Sequence, residues 1–415
     1  MAGLSAASML SEAGNDVTVF EAAPQLGGRA RAITWRGQLL DNGQHILLGA
    51  YQQTINLIND LGLDFNSALL RLPLSLNMHS SYSLRAKHLP APFNLLFGLL
   101  LAKGLSWSER VAAIRFFIWL KIKNFKLDRD EPLIPLLNRH HQPARLIKWL
   151  WEPLCLAALN TPIKIASAQT YLNVLRDSFN RKRNDSDLLL PKIDLSQLLS
   201  EPLAKVIIKH GGKIKTNTPV EKIQKTNQGF SLGISSETSL EFSHVIIATS
   251  PHRTLALSQS LNTALELTAF EYQPIYTVYI QYPAQVQLPF VMTGFTKGVA
   301  QWAFDRGQLC GQKGLVAVII SAEGPHQKLN QQVLGDLIIK ELKTAFPSLA
   351  TPEWVKVIAE KRATFACTAG LKRPAQKTNI PNLYLAGDYT AGDYPATIEG
   401  AIISGQRCAQ LILQS

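Results

Sequence analysis

The chain has 415 residues, 46% of them hydrophobic and 17% charged, and its 42 Lys and Arg outnumber 30 Asp and Glu to give a net charge of +12. It is too apolar for a disordered chain and too long for one ordinary core, so two domains, or one large domain with an insertion, are expected. The charge points to an anionic partner: with no zinc spacing, RRM signature or aromatic-interleaved basic tract, nucleic acid is set aside and an anionic membrane surface remains. Four scattered cysteines (Cys155, Cys310, Cys367, Cys408) form no C-x-x-C pair and no disulfide framework, which fits a reducing cytoplasm.

In chain order, Met1 to Glu21 reads as a small-residue helix, a turn at Gly14-Asn15-Asp16, and the apolar strand Val17-Thr18-Val19-Phe20 closed by Glu21. Gly3, Ala7 and Leu10 share one helix face, and Gly14 supplies the terminator. This is the second half of a dinucleotide-binding βαβ unit. Gly3 stands where the last glycine of G-x-G-x-x-G would stand, and Glu21, 18 residues on, where a carboxylate grips a ribose 2′-hydroxyl. The unit's first strand and first two glycines would precede Met1, so the nucleotide fold is expected to be N-terminally truncated.

Next comes Ala22 to Arg31, with Gly27-Gly28-Arg29 at its centre. Adjacent glycines expose backbone N–H groups and Arg29 adds a fixed positive fork suited to a pyrophosphate; the blander alternative is a Gly-Gly hairpin with a surface arginine. A strand ending in Glu followed by Gly-Gly-Arg-x-Arg resembles the FAD-binding start of the amine oxidase and carotenoid desaturase superfamily. The next segment, Leu40 to Tyr51 with DNGQHILLGAY, narrows the resemblance to the hydroxysqualene dehydroxylases. The resemblance implies that this segment passes beside the flavin ring, which makes His45 a candidate proton donor.

From about Ser75 to Ser200 the chain turns greasy. Pro90 to Ala102 and Val111 to Leu120 are apolar runs shorter than the roughly 20 residues that span a bilayer, the length of buried or interfacial helices. Lys121, Lys123, Lys126 and Arg129 follow the second run, an arrangement suited to docking on anionic lipid. Trp149 to Pro162 and Ser186 to Pro202 resemble substrate-domain segments of the same family; by pattern the latter is a loop around Pro191 and a helix from Asp194 or Ser196. His140-His141 lacks a carboxylate at ligand spacing, so no metal site is expected.

Ala204 to Ile214 reads as a helix ending at Gly211-Gly212 and a strand near Lys213. Strands follow from Thr218, over Phe230 to Ile234 and Ser239 to Phe242, and over His244 to Ser250. A second excursion has strands at Ile275 to Gln281, Gly298 to Phe304, Leu315 to Ser321 and Trp354 to Glu360, with an amphipathic helix over Gln331 to Phe346. The apolar strand Asn382 to Asp388 then leads to Tyr394-Pro395-Ala396-Thr397-Ile398-Glu399-Gly400-Ala401 and a closing helix with Ser404 and Gly405, whose N-terminus suits an anionic ligand.

The resemblance implies an α/β fold: a Rossmann-like FAD-binding domain of the two-dinucleotide-binding type over 1–75, 203–268 and 370–415, with an inserted α+β substrate domain over 76–202 and 269–369. It implies FAD contacts at Gly3, Glu21, Gly27, Gly28, Arg29, Val220, Gly387, Asp388, Ile398, Gly400 and Ala401. Thr397 replaces the aromatic cage residue of amine oxidases, and no cysteine between Gly387 and Gly400 could carry a thioether, so noncovalent FAD is expected. The implied reaction is reductive removal of the allylic hydroxyl of hydroxysqualene, with His45 or Tyr394 as proton donor, an isoprenoid substrate, and work at the inner face of the cell membrane. A carotenoid-type desaturase, and a flavin-free lipid-binding protein, remain as alternatives.

Overall fold

The computed structural model describes residues 1–179, 181–234, 237–261, 265 and 270–415. The opening helix Ala2–Glu12 is rich in Ala and Ser and buries nearly its whole surface, because it is packed from two sides. On one side Leu4 and Ala7 meet Leu203 and Ile207 of the helix Glu201–Lys209. On the other lies the closing helix Ile398–Leu413, where Ser5 Oγ donates to the carbonyl of Ile402 at 3.2 Å. A Cβ at Gly405 would stand 2.1 Å from the carbonyl oxygen of Ala2, so only glycine permits this approach. Gly14, at φ +83°, ends the opening helix as expected.

Two short parallel pairs, each its own two-stranded sheet, pack against these helices. Thr18–Phe20 pairs with Lys213–Lys215, and Val245–Ile247 pairs with Leu383–Leu385. Among the described residues no strand joins the pairs to each other. An antiparallel ribbon of Val220–Lys225, Phe230–Ile234 and Glu237–Phe242 lies alongside.

Among the described residues, seven strands form the second, mixed sheet, in the order Trp354–Phe365, Tyr272–Gln281, Leu315–Ser321, Trp302–Asp305, Met292–Gly294, Ser75–Met78 and Tyr82–Arg85. One face carries Val278, Ile280, Val316, Val318 and Ile320 against Leu334, Ile338 and Leu342 of the helix Gln331–Ala345. The opposite face carries Tyr279, Ala317 and Ile319 into a large core shared with the helices between Phe93 and Phe179. Alternating side chains covered on both faces explain the near-continuous apolar runs of the central strands.

Local expectations needed correction where long-range pairing decides. The segment read as a loop around Pro191 is a buried strand, Leu188–Pro191, between Leu47–Leu48 and Leu69–Leu72. Proline is tolerated there because Leu47–Leu48 pairs no further than Leu189, so no strand on that side needs a donor from Pro191. Gly298, at φ +86°, holds a turn, so the strand expected from Gly298 begins at Trp302. The strand from Trp354 runs on through Phe365. That from His244 is regular only over Val245–Ile247, and Pro251 opens a helix. The boundary at 268–269 lies outside the described residues.

Candidate functional site

The loop after the first strand turns at Gly27 and Gly28, with φ +103° and +61°. A Cβ on Gly27 would lie 2.6 Å from the carbonyl oxygen of Ala30 and 3.3 Å from Ser200 Oγ, while none of the chain lies within 4 Å of where one would stand on Gly28. The loop is therefore clamped at one glycine and open at the next. It delivers Arg29, whose guanidinium bonds to Asp388 Oδ2 at 2.7 Å and to the carbonyl of Ala363. The Asp388 carboxylate raises the Arg29 pKa. The backbone nitrogen of Met1 is buried in the same place, within the field of Arg29, Asp388 and Glu21.

Glu21 closes its strand and takes the amide of Ala23 at 2.9 Å on its own carboxylate, while its carbonyl accepts from Thr218 N. Phe20 and Val220 share one apolar cluster, which sets Val220 beside the strand that ends in Glu21. Gly3 lies behind, where a Cβ would come 2.9 Å from that of Ala248.

Asp388 is held by a residue the sequence did not single out. The half-buried Arg373 donates to the carbonyls of Asp388 and Tyr394, both at 2.7 Å, of Gly392 at 3.0 Å and of Tyr389 at 3.3 Å. One planar guanidinium thus shapes the whole loop from 388 to 394. Gly387 N donates to Ser404 Oγ at 3.0 Å, tying the loop to the closing helix.

That helix begins with Thr397 as its cap, its hydroxyl accepting from Gly400 N at 3.0 Å, and with the carbonyl of Thr397 accepting from Ala401 N at 3.1 Å. The residue noted for not being aromatic is a helix cap. Ile398 and Gly400 stand in the first turn. Between them Glu399 is buried and accepts from Gln53 N, Thr54 N and Thr54 Oγ1 at 3.0, 2.8 and 2.6 Å, so this first turn is bolted to the helix Gln52–Asp60. Tyr394 packs edge-on against Tyr51, ring centres 5.9 Å apart. Burial raises its pKa, and the nearby Asp177 carboxylate adds to the effect.

His45 lies on another wall. Its Nδ1 is 2.8 Å from the carbonyl oxygen of Gly43. In the neutral ring Nδ1 therefore carries the proton and Nε2 the lone pair. Desolvation lowers the His45 pKa, and the Asp41 carboxylate partly offsets this. Asp41 is buried, and desolvation raises its own pKa against the Leu195 amide, at 3.0 Å, and Arg306, at 3.8 Å. Arg306, 4% exposed, also donates to Gln44 Oε1 and Gln312 Oε1. Arg31 Nε and Thr277 Oγ1 are among the buried polar atoms that lack a hydrogen-bond partner in the described residues. A Cβ on Gly43 would lie 3.7 Å from that Thr277 hydroxyl and 3.8 Å from the His45 ring. His45 falls within the field of Arg29; among the described residues no hydrogen bond joins it to Tyr394.

The sequence-derived residues thus form two groups. Glu21, Gly27, Gly28, Arg29, Gly387 and Asp388 converge, with Ile398, Gly400 and Ala401 on the helix that Asp388's loop enters. His45 brings Asp41 and Arg306, which no local pattern announced. A separate open cavity of about 500 Å³ lies at the edge of the seven-stranded sheet, lined by Met78, Tyr82, Lys103, Phe290, Thr293 and Phe346 among others. The buried hydroxyls of Tyr82 and Thr293 have no partner there.

Residues 1–413 match the family described as flavin containing amine oxidoreductase. The chain is 27% identical to a hydroxysqualene dehydroxylase of Rhodopseudomonas palustris, over 100% of this chain and 96% of that one. It is 24% identical to a 15-cis-phytoene desaturase of Solanum lycopersicum, over 100% of this chain and 76% of the relative. Among solved structures it is similar in fold to an oxidoreductase from Methanosarcina mazei, with a TM-score of 0.74, 16% identity, and 100% and 98% of the two chains covered.

Proposed function

We propose, from the premise that the chain belongs to the flavin-containing amine oxidoreductases and is an FAD-dependent oxidoreductase, that it removes the allylic hydroxyl of hydroxysqualene to give squalene. The observation that carries this reading is the likeness to hydroxysqualene dehydroxylases over the whole chain. In the reaction the C–O bond breaks, the oxygen leaves as water with one added proton, and the carbon gains a hydride. FAD in its reduced form supplies that hydride when bound.

The residues present fit the cofactor. The open side of Gly28, the guanidinium of Arg29 and the partnerless Arg31 Nε and Thr277 Oγ1 offer a cradle and unspent donors. Under this reading Glu21 takes the ribose, Gly3, Gly27, Gly28 and Arg29 the pyrophosphate, Val220 the adenine side, Gly387 and Asp388 the ribityl region, and the turn of Ile398, Gly400 and Ala401 the ring edge. Residues 1–75, 203–268 and 370–415 then hold the cofactor, and 76–202 and 269–369 the substrate.

His45 Nε2 is the atom from which a proton reaches the leaving hydroxyl, since Nδ1 is committed to Gly43. Arg306 holds Asp41 and Gln44 around it. The substrate is a long isoprenoid taken at the inner face of the cell membrane; no helix among the described residues is long and apolar enough to cross one. A second reading, desaturation of a polyene, is favoured by the lowered pKa of His45, because a neutral imidazole accepts protons more readily than it gives them. Anaerobic incubation of chemically reduced enzyme with hydroxysqualene, followed by lipid analysis, is expected to yield squalene. If reduced enzyme yields none and oxidised enzyme desaturates phytoene, the second reading replaces the first.

A further inference from the structure

The helix Trp107–Ile122 is apolar on two opposite faces. Ala112, Ala113, Phe116, Phe117 and Leu120 are buried in the core. On the far side Trp107, Val111, Ile118 and Ile122 repeat at spacings of four and seven and are 67%, 55%, 49% and 77% exposed. A helix apolar all round is ordinarily covered all round, and an outward stripe of this size marks an interaction surface. The preceding helix, Phe93–Leu100, does the same on a smaller scale: Phe93, Phe97 and Leu101 follow at i, i+4 and i+8, all exposed, while Leu95 and Leu99 are buried. Seven of the 13 exposed large hydrophobic side chains found among the described residues thus fall between positions 93 and 122.

The two helices are fastened as one hairpin. Arg110 donates to the carbonyls of Leu100 and Leu105 at 2.9 and 3.1 Å and lies over the Trp107 ring. Ser106 caps the second helix in a reciprocal box with Glu109, and Glu109 is bound by Arg145 Nε at 2.6 Å. The charges around the stripe have one sign. Lys103, Arg115, Lys121, Lys123 and Lys126 are exposed, with Arg115 and Lys121 on either flank of the stripe. Glu109, the sole acid from 93 to 126, is buried and neutralised.

We infer that the hairpin of Phe93–Leu100 and Trp107–Ile122 is a one-sided membrane anchor, its two exposed apolar stripes sunk into the headgroup and upper acyl region of an anionic bilayer and its lysines and arginine at the phosphates. Apolar side chains ringed by cations match that boundary, and neither helix is long enough to pass through. The loop between the helices, Lys103-Gly104, also borders the 500 Å³ cavity together with the half-exposed Phe290. Insertion of the hairpin therefore turns the mouth of that cavity toward the lipid. The choice of a lipid surface over a second copy of the chain rests on the charge: two cationic rims repel each other, whereas an anionic surface satisfies them.

The inference draws its lipid substrate from the function proposed above, but its test does not. The purified holoenzyme is mixed with vesicles of phosphatidylcholine, with or without phosphatidylglycerol, and binding is read by flotation and by quenching of tryptophan fluorescence with acyl-brominated lipid. The full chain is expected to float with anionic vesicles and to be quenched, and V111S/I118S/I122S to lower partitioning by at least about tenfold, with flavin absorbance and melting temperature unchanged. Replacing Lys121 and Lys123 with Gln is expected to remove the preference for phosphatidylglycerol. Wild-type partitioning by the triple variant, or no binding by the wild type, overturns the anchor. So does sedimentation that finds a wild-type dimer which the triple variant turns into a monomer without any lipid binding. Squalene formation without vesicle binding overturns the anchor and leaves the reaction standing; the reverse leaves the anchor standing.

Discussion

Arg29 and Asp388 stand 359 positions apart in the chain and 2.7 Å apart in space. The pair joins the loop after the first strand to the loop before the closing helix; under the proposed reading these are the two loops that enclose the cofactor, and the contact needs both residues. Asp388 is almost fully covered and Arg29 is 40% exposed, which leaves one edge of the guanidinium for a phosphate. Arg29→Ala is expected to weaken FAD retention by about 10–100-fold, measured as flavin fluorescence released on dilution. Arg29→Lys restores the charge without the fork and should recover only part of the loss.

The two candidate proton donors differ in their response to pH. Desolvation holds the His45 pKa below its usual 6.5, so an imidazolium donor is present only under acidic conditions and kcat is expected to fall as pH rises through that lowered value. Tyr394, its pKa raised by burial, keeps its proton across the whole working range and would give a flat profile. Asp41→Asn removes the carboxylate that raises the His45 pKa and should shift the falling limb to lower pH. A flat profile in wild type, unchanged in His45→Gln, would pass the role to Tyr394.

At the contact of the first and last helices there is no room for even a methyl group. Gly405→Ala puts a carbon at 2.1 Å from the Ala2 carbonyl oxygen, so the helices must separate. The expected cost is about 1–3 kcal/mol, read as a lower unfolding midpoint in urea with unaltered m-value.

Glu109 ties the hairpin's second helix to Arg145. Hydrogen bonding to Arg145, outweighing desolvation, lowers its pKa from 4.5 to about 2. Because the folded value lies below the unfolded one, this contribution is complete above about pH 4.5 and is lost as pH falls toward 2. Glu109→Gln is expected to cost roughly 1–3 kcal/mol at pH 7 and to flatten the acid limb of the stability curve, measured by circular dichroism against urea.

What could be read from the residues depended on how local the cause was. The helix ended by Gly14, the strand closed by Glu21 and the glycines at 27 and 28 carry their reasons within a few positions, and each stands where the sequence indicated. Arg373 carried no such sign: its acceptors are backbone carbonyls, which any residue type could supply. Asp41 ends a strand of the two-stranded Ala32–Trp35/Gln38–Asp41 ribbon and Arg306 follows a strand of the seven-stranded sheet, so only tertiary packing relates them. The run from Val111 was legible as apolar, but which of its faces is covered depends on helices elsewhere. Pro191 misled because proline argues against a central strand, and here the neighbour on one side stops at Leu189 and asks no donor of it.

The contact between Ser5 and Ile402, separated by 397 positions, also has a meaning in time. At about 5–20 residues per second of synthesis, the opening helix leaves the ribosome roughly 20–80 s before its partner exists. For that interval Ala2, Ala6 and Leu10, which pack toward Cys408 and Ala409 of the closing helix, lack that part of their covering. A stop codon that removes the last helix therefore also uncovers the side of the first one that faces it.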